Sequence, residues 1–428
     1  MRLPPAIHHE RLPNGLTVLM VPRLGGVVTV DAWIGVGSAD ETPELNGVSH
    51  FLEHMLFKGA GRYGPGEIDR VVEGVGGMMN AGTSHDFTHC YVTAASENFP
   101  VALDVVAAVI ENATLDPDEL DRERQVILEE YARKQDDPHG VLWETLYDRA
   151  FATGPYKAPV LGVPESLEAI GRPEMLDYYC RHYAPENVAL LVVGDIEPPR
   201  ALEAVGAALS GFHRPFQPLV ARGGVETTYC ESVETVLEKD VNETYGVMAF
   251  PVPALKDCAA AYARDVLQFL LGCGDASLLY QEIKEKRRLA TSIQAGCGSS
   301  RYPDLFYVCY TCDEAKRPDL EKATLEQIDR VAQAPPAPQT LERARRLLAN
   351  AHAFSLETTN GESAAIGYYY TVTGATRFER DYTREIADVS AERVQEQAQR
   401  CLKPETMTRV AVRPKQAGAP AHGAPPHD

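Results

Sequence analysis

Three residues of metal-binding or acid–base type stand close together near the N-terminus. His50, Glu53 and His54 form the pattern H-x-x-E-H within an apolar stretch. On a helix the two histidines are one turn apart and project only about 40° from each other, so their neutral imidazoles can share one zinc ion at about 2.0–2.1 Å. Glu53 adjoins the same face, where it can act as a base on a water molecule. The pattern predicts a zinc site; the alternative is two surface histidines beside a carboxylate.

A catalytic zinc ion usually has three protein ligands and an open position, so a third ligand is expected elsewhere. A helix is predicted from Asp116, an N-cap residue followed by proline. On the wheel of this helix Glu123 and Glu130 fall on the inward apolar stripe, whereas Glu129 falls outside it. Two inward carboxylates are costly unless a cation or hydrogen-bond donors meet them. Both are therefore candidates to face the metal.

The motif helix is expected to follow paired strands. Apolar extended runs occupy 16–21 and 27–36, and the motif helix begins after Asn46-Gly47 and ends at glycines 59 and 61. A Gly-rich run at 76–84 then leads into a further strand. These elements must bring the motif helix against the helix that begins at Asp116.

The second half of the chain repeats this order of elements. An apolar strand at 241–250 and an apolar helix at 262–271 occupy the place that 27–57 holds in the first half, but the second helix carries no His or Glu. The expected fold is α+β, with two similar domains that arose by internal duplication. Each domain is expected to be a mostly antiparallel sheet with helices packed on one face.

Composition shifts predict the domain boundaries. A stretch rich in turn formers at 211–218 separates the halves, and the end of the chain is rich in Gly, Ala and Pro. We expect a zinc-binding domain at 1–213, a linker at 214–224, a second domain without a metal motif at 225–412, and a disordered tail at 413–428.

Charge and hydropathy exclude several classes of protein. The 428 residues carry a formal charge of −20, which argues against a nucleic-acid partner. No stretch approaches the roughly 18 uninterrupted apolar residues of a membrane span, and the N-terminus has no signal-peptide pattern. The nine cysteines are scattered and odd in number, as is typical of reduced thiols. A cytoplasmic protein without membrane contact is expected.

One cysteine pair has the spacing of a redox or metal motif. Cys309 and Cys312 form a C-x-x-C within an apolar strand pattern, where positions three apart point to opposite faces. No second C-x-x-C exists to complete a four-thiolate site. We interpret both as small core residues.

Three segments together resemble a known family. HFLEHMLFKG, EGVGGMMNAGTSHDFTHCY and ERQVILEEYARKQDDP resemble the M16 zinc peptidases, which include pitrilysin, insulin-degrading enzyme and the mitochondrial processing peptidases. The resemblance covers most of the chain and is strongest from Leu12 to Gly194. It implies one zinc ion bound by His50, His54 and Glu130.

The same resemblance implies roles for further residues. Glu53 is the general base for hydrolysis of peptide bonds, and Glu123 orients a ligand or the site. Asn80 and Ala81 belong to an exposed edge strand that pairs with the backbone of a peptide substrate. A closed chamber, as in this family, favours short or unfolded peptides.

Chain length and one departure from the family pattern bear on assembly. The chain is similar to the half-length, two-domain members, which form dimers. In active assemblies of this family an Arg and a Tyr seven residues on touch the substrate carbonyl, but the corresponding positions here hold Lys284 and Thr291. Since lysine lacks the planar fork of arginine and threonine lacks the reach of a phenol, we expect a homologous partner subunit to supply the pair. The alternatives are a self-sufficient homodimeric oligopeptidase and a non-catalytic structural subunit.

Overall fold

Two mixed β-sheets, one in each half of the chain, organise the fold. The computed structural model describes residues 6–217, 226–256 and 258–415. The first sheet has six strands and the second has five, and within each sheet one neighbouring pair is parallel while the others are antiparallel. The expected α+β class with two similar sheet-and-helix units is confirmed.

Among its described residues, the first half contains seven strands and eight α-helices. In chain order they are β1 (His8–Arg11), β2 (Thr17–Pro22), β3 (Val27–Ile34), α1 (Val48–Leu56), α2 (Glu67–Gly74), β4 (Met78–Thr83), β5 (Thr88–Ala95), α3 (Phe99–Asn112), α4 (Pro117–Asp136), α5 (Pro138–Ala150), β6 (Phe151–Thr153), α6 (Pro164–Ala169), α7 (Arg172–His182), β7 (Val188–Gly194) and α8 (Pro198–Ala208). The large sheet has the order β1-β2-β7-β3-β5-β4, so β4 is an edge strand.

The second half repeats this plan with different lengths. Its elements are β8 (Thr228–Tyr229), β9 (Val233–Lys239), β10 (Thr244–Val252), α9 (Cys258–Gly272), a π-helical segment (Tyr280–Lys286), β11 (Ser292–Cys297), β12 (Asp304–Cys312), α10 (Arg317–Gln333), α11 (Pro338–Ser355), α12 (Thr359–Thr373), α13 (Arg377–Asp388), α14 (Ala391–Cys401) and β13 (Thr408–Pro414). The sheet order is β11-β12-β10-β13-β9, and β8 pairs instead with β6 of the first half.

Both faces of the first sheet are covered, which explains the apolar sequence of β3. Every residue of β3 after Val27 is buried. The side chains on one face of β3, including Val28 and Val30, belong to the hydrophobic core beneath the helices of the first half. On the other face, Trp33 packs with Ile366 of α12. Strands that are buried on both faces are mostly apolar rather than alternating. The buried polar residues of β3 are Thr29 and Asp31.

Each half contributes one helix that packs on the sheet of the other half, an arrangement called here the helix exchange. Helix α12 of the second half lies on the first sheet, where Ser363 donates a hydrogen bond of 2.9 Å to the fully buried Asp31. In return, α5 of the first half packs on the second sheet, where the hydroxyl of Tyr147 donates to Asp304 at 3.1 Å. Sequence periodicity predicted helices on one face of each sheet; this exchange covers the second face.

The cysteines and the C-terminal end of the second sheet bear on further expectations from the sequence. Cys309 and Cys312 lie on opposite faces of β12, and all nine cysteines are free thiols. Strand β13 includes Arg413 and Pro414, so the sheet extends two residues into the expected tail. Residues 218–224 of the expected linker and 416–428 of the tail lie outside the described residues. Within the described part of the chain, no helix combines the length and apolarity required to cross a bilayer.

Candidate metal centre

The N-terminal end of α1 is fixed by a glycine and a partly buried carboxylate. Gly47 precedes the helix with φ of +92°, and a Cβ atom there would lie 2.7 Å from the Cα of Gly162. Glu41 accepts hydrogen bonds from the backbone N–H groups of Gly47 at 2.7 Å and Ser49 at 2.8 Å. The Ser49 hydroxyl lies 2.7 Å from that of Tyr178. Because the carboxylate satisfies N–H groups that have no partner within the helix, it fixes the start of α1 and hence the direction of its histidines.

Helix α4 begins where the sequence predicts. The side chain of Asp116 accepts hydrogen bonds from the N–H groups of Asp118 and Glu119, with Pro117 in the first turn. Such a cap stabilises a helix by about 1 kcal/mol and sets its first residue, which in turn sets the face that each later side chain occupies.

The face of α4 toward α1 carries the two carboxylates that the helical wheel selected. Glu123 is buried, the side chain of Glu130 is 41% exposed, and Glu129 is exposed on another face. Val126, which the wheel places near the margin of the same stripe, is 41% exposed. The stripe is therefore buried at Glu123 and opens to solvent toward Glu130.

His50, His54 and Glu130 converge on one point. Oε2 of Glu130 lies 3.8 Å from Nε2 of His50 and 3.6 Å from Nε2 of His54. The three ligand atoms lie within 4.8 Å of one another. Donors that bind a tetrahedral zinc ion at about 2.0–2.1 Å lie about 3.4 Å apart, so a small contraction would complete the site. Two imidazoles and one carboxylate, with one side open to solvent, form a donor set that fits a catalytic zinc ion.

The charge state of His50 suits metal binding. Burial, helped by the nearby His54 and Lys134, lowers the pKa of His50 to about 4. The imidazole is therefore neutral at neutral pH and offers a lone pair, so its approach to Glu130 is not an ordinary ion pair. Within the described residues, its Nδ1 is buried and has no hydrogen-bond partner.

Glu123 contacts His54, a candidate metal ligand, at the ring nitrogen that faces away from Glu130. Its Oε2 lies 3.2 Å from Nδ1 of His54, and its Oε1 lies 2.6 Å from Nζ of Lys58. The carboxylate thus receives the ring N–H and leaves Nε2 of His54 free toward Glu130. Sequence reasoning assigned this orienting role to Glu123 by resemblance but did not identify Lys58, although it follows His54 by four residues.

Glu53 is held beside the metal ligands by a residue of the edge strand. Its Oε2 accepts a hydrogen bond of 2.6 Å from Oγ1 of Thr83, at the end of β4. Burial raises the pKa of Glu53, and the Thr83 hydroxyl partly offsets this by stabilising the carboxylate. A raised pKa brings a carboxyl group closer to the range in which it can accept and return a proton near neutral pH. Thr83 had no signal in the sequence beyond its place in the Gly-rich segment.

Asn80 and Ala81 lie on β4, the edge of the six-stranded sheet. Strand β4 pairs with β5 on one side, and no described strand pairs with its other side. The backbone N–H of Ala81 donates to the Asn80 side chain at 2.9 Å, and Met78 at the start of the strand is 69% exposed. An open edge with a local side-chain cap can accept an extended peptide.

Lys284 and Thr291 lie in the second half and take no part in the metal group. Nζ of Lys284 lies 4.7 Å from the ring centroid of Tyr280, and Thr291 donates a hydrogen bond of 2.6 Å to Glu243. Thr291 is exposed. Both side chains are occupied by local contacts at the surface of their own half.

The chain matches known families and proteins along most of its length. Residues 23–163 match the model of insulinase, peptidase family M16, and residues 169–348 match that of the peptidase M16 inactive domain. An uncharacterized zinc protease of Rickettsia bellii is 30% identical over 85% of this chain and 87% of its own. One of Streptomyces coelicolor is 29% identical over 91% and 85%.

Solved structures share the fold. A protease from Helicobacter pylori superposes with a TM-score of 0.90 at 24% identity, over 96% of this chain and 100% of that chain. A peptidase M16 inactive domain from Pseudomonas fluorescens gives 0.85 at 21% identity, over 97% and 100%.

The fold and the donor set define a zinc metalloprotease. The chain belongs to peptidase family M16, with the two-domain architecture of an M16 domain followed by an M16 inactive domain.

Proposed function

We propose that this chain is the zinc-bearing catalytic subunit of a peptidase that cleaves short or unfolded peptides and requires a homologous partner subunit. The observation that carries the peptidase proposal is the convergence of His50, His54 and Glu130 within 4.8 Å, with Glu53 held next to them by Thr83. In the proposal the zinc-bearing domain is 1–213 and the second domain is 225–412. A cytoplasmic location stays a prediction.

Each side chain of the centre has a defined task. His50, His54 and Glu130 hold one zinc ion, which when bound supplies a Lewis acid for the scissile carbonyl and acidifies water. Glu53 takes a proton from the attacking water at a carboxylate oxygen and returns it to the departing amine. Glu123 keeps the lone pair of His54 Nε2 directed at the site.

The peptide lies along β4 in this proposal. The free edge at Asn80 and Ala81 offers backbone groups for strand addition, and Thr83 at the end of the same strand bonds to Glu53. An extended peptide on β4 is therefore carried toward the base. Only extended chains can pair with an edge strand, which favours short or unfolded substrates over folded proteins.

A partner is proposed because the second half lacks the side chains that the family uses to contact the substrate carbonyl. Lys284 and Thr291 stand at the positions of the Arg and Tyr, and loss of one such hydrogen-bond donor costs about 10²–10³ in rate. The apolar side chains of Val126 and Met78, respectively 41% and 69% exposed, would be covered by a subunit that closes over α4 and β4. In a homodimer, Lys284 and Thr291 would face the substrate carbonyl in place of the Arg and Tyr that a partner subunit supplies.

The chemistry is tested with Glu53→Gln and a quenched peptide. The variant keeps the shape of the side chain and its contact with Thr83 but loses the base, so it should retain zinc while the rate falls about 10²–10⁴-fold. Glu129→Gln on the exposed face of α4 is the control and should be unchanged. Zinc-loaded Glu53→Gln with wild-type activity would refute the assigned role.

Assembly is tested by gain of function. Purified wild-type chain with zinc should be weakly active alone, and the double variant Lys284→Arg/Thr291→Tyr should raise that activity about tenfold or more. Thr291 is exposed, so the larger ring has room. Lys286→Arg, at an exposed position of the same segment, is the control. Strong activity of the wild-type homodimer would favour the self-sufficient enzyme. Inertness of the zinc-loaded chain with and without a partner would favour a structural subunit.

A further inference from the structure

The second half contains a buried arginine that forms no ion pair within the described part of the chain. Arg264, on α9, is 1% exposed. None of its three guanidinium nitrogens has a hydrogen-bond partner within the described part of the chain. A buried cation is strongly destabilising unless an anion or hydrogen-bond acceptors meet it. The side chain is therefore in a state that a bound anion would relieve.

Arg264 forms part of the wall of a cavity of about 450 Å³. This volume is within the range of roughly 300–1,000 Å³ that is typical of small-molecule sites. Thr227 belongs to the same wall, and its buried hydroxyl also lacks a partner among the described residues. The wall thus includes two residues with unsatisfied donor groups from separate segments. Their donor atoms are shielded just behind the cavity surface, and a small shift of either side chain would bring them to a bound anion.

The remaining charged residues of the wall are also cations. Lys256 and Arg400 line the cavity, are exposed, and form no ion pair with any described residue. Arg301 lines it as well, but its charge is met by Asp40 at 3.3 Å and Asp86 at 3.9 Å. No Asp or Glu of the described residues belongs to the wall. In a chain of formal charge −20, a cavity wall whose described charged residues are all basic favours anions.

The acidic neighbour of Arg264 does not neutralise it. Asp265 follows Arg264 on α9, but its carboxyl group accepts a hydrogen bond of 2.8 Å from the hydroxyl of Tyr382 and forms no ion pair with Arg264. The two side chains point to different surroundings because consecutive residues of a helix lie about 100° apart. The two charges attract each other, but the guanidinium N–H groups of Arg264 still have no acceptor among the described residues.

We propose that this cavity binds a small anion bearing phosphate or carboxylate groups, with Arg264 as its central contact and Lys256 and Arg400 at its mouth. A guanidinium presents two parallel N–H groups that match either oxyanion in a bidentate pair. The Thr227 hydroxyl supplies a further donor. The site is independent of the metal centre and of the proposed peptidase activity.

The full chain is titrated with pyrophosphate and, separately, with citrate at constant ionic strength, using calorimetry and thermal unfolding. Saturable binding with a stoichiometry of one and a rise in Tm is expected for at least one of them, because a ligand that binds only the folded state stabilises it. Binding of pyrophosphate alone assigns a phosphate ligand, and binding of citrate alone assigns a carboxylate ligand. A response no greater than that to sodium chloride for both overturns the proposal.

Variants make the test specific. Arg264→Met keeps the buried stem, so it should fold with an unchanged or higher Tm in the absence of anion while losing the anion-dependent rise. Arg400→Gln and Lys256→Gln should each weaken binding about tenfold. Arg393→Gln, exposed on α14 like Arg400 but outside the cavity wall, should bind as the wild type does. Undiminished binding by Arg264→Met, or equal weakening by Arg393→Gln, refutes the site. Since no readout depends on peptide cleavage, failure here leaves the proposed function intact.

Discussion

Nδ1 of His54 and Oε2 of Glu123 are 3.2 Å apart, and this contact joins the motif helix α1 to helix α4. Glu123 is itself held by Lys58, at 2.6 Å. This series of contacts, from the Lys58 ammonium through the Glu123 carboxylate to the His54 imidazole, places the ring proton of neutral His54 on Nδ1. Groups that contact metal ligands in this way set ligand orientation and basicity.

Replacement of either Glu123 or Lys58 should weaken zinc binding without abolishing it. Glu123→Ala is expected to lower zinc affinity about 10–100-fold, because the His54 ring loses its orienting acceptor. Lys58→Met should have a smaller effect in the same direction, since Glu123 remains but is less firmly placed. Competition with a chromophoric chelator measures both. Lys286→Met, at an exposed position of the second half, is the control; a loss of affinity equal to that of Lys58→Met would contradict the assignment.

Glu130 and Glu129 allow a matched test of the third ligand. Glu130→Ala should leave the protein unable to retain zinc through dialysis and should lower peptidase activity at least about 100-fold, because a site with two histidines alone binds the ion weakly. Glu129→Ala removes an exposed carboxylate one residue away and should keep one zinc ion per chain. Metal analysis gives the zinc content of both variants. Equal zinc contents in Glu130→Ala and Glu129→Ala would mean that Glu130 is not a ligand.

The parts of the site that were predictable share one property. His50, Glu53 and His54 are close in sequence on one helix, and Glu123 and Glu130 follow from the period of another, so local geometry suffices to select them. Thr83 and Lys58 were not predicted. Thr83 meets Glu53 only because β4 packs beside α1, a tertiary relationship that no local period encodes.

The same distinction applies to the fold. Paired strands followed by an apolar helix in each half predicted two similar sheets, because these patterns are local. The exchange of α5 and α12 between the sheets was not predicted, since an amphipathic helix does not specify which apolar face it will cover. Ser363 and Asp31, which meet across this exchange, are far apart in sequence.

The contact between α12 and the first sheet depends on the absence of a side chain at Gly367. A Cβ atom there would lie 2.3 Å from ring atoms of the buried Trp33. Gly367→Ala should therefore lower the free energy of unfolding by about 1–3 kcal/mol, because the indole must move in a packed interface. At Gly206 in α8 a Cβ atom would meet nothing within 4 Å beyond the backbone of its own helix, so Gly206→Ala should be neutral or stabilising by up to about 1 kcal/mol. Urea unfolding measures the stability of both variants. Equal changes in the free energy of unfolding would mean that the close approach of Gly367 to Trp33 is not required for α12 to pack on the first sheet.

The last prediction concerns the pH dependence of stability through Asp265. Burial raises the pKa of this carboxyl group from 3.8 to about 6, while the Tyr382 hydroxyl, Arg264 and His352 oppose the rise. Since the folded state holds the proton more tightly than the unfolded state, this group lowers stability as the pH rises from about 4 to above 6. The decline attributable to it between pH 5 and 7.5 is roughly 1–2 kcal/mol.

Asp265→Asn has no ionisable group at this position and can still accept the hydrogen bond from Tyr382. The variant should therefore become more stable relative to the wild type by roughly 1–2 kcal/mol when the pH is raised from 5 to 7.5. Titrating groups that do not interact with residue 265 are common to both proteins and cancel in the comparison. Asp388→Asn, at an exposed position of α13, should show no such change. Parallel stability curves for the wild type and Asp265→Asn would mean that Asp265 has an ordinary pKa in the folded protein.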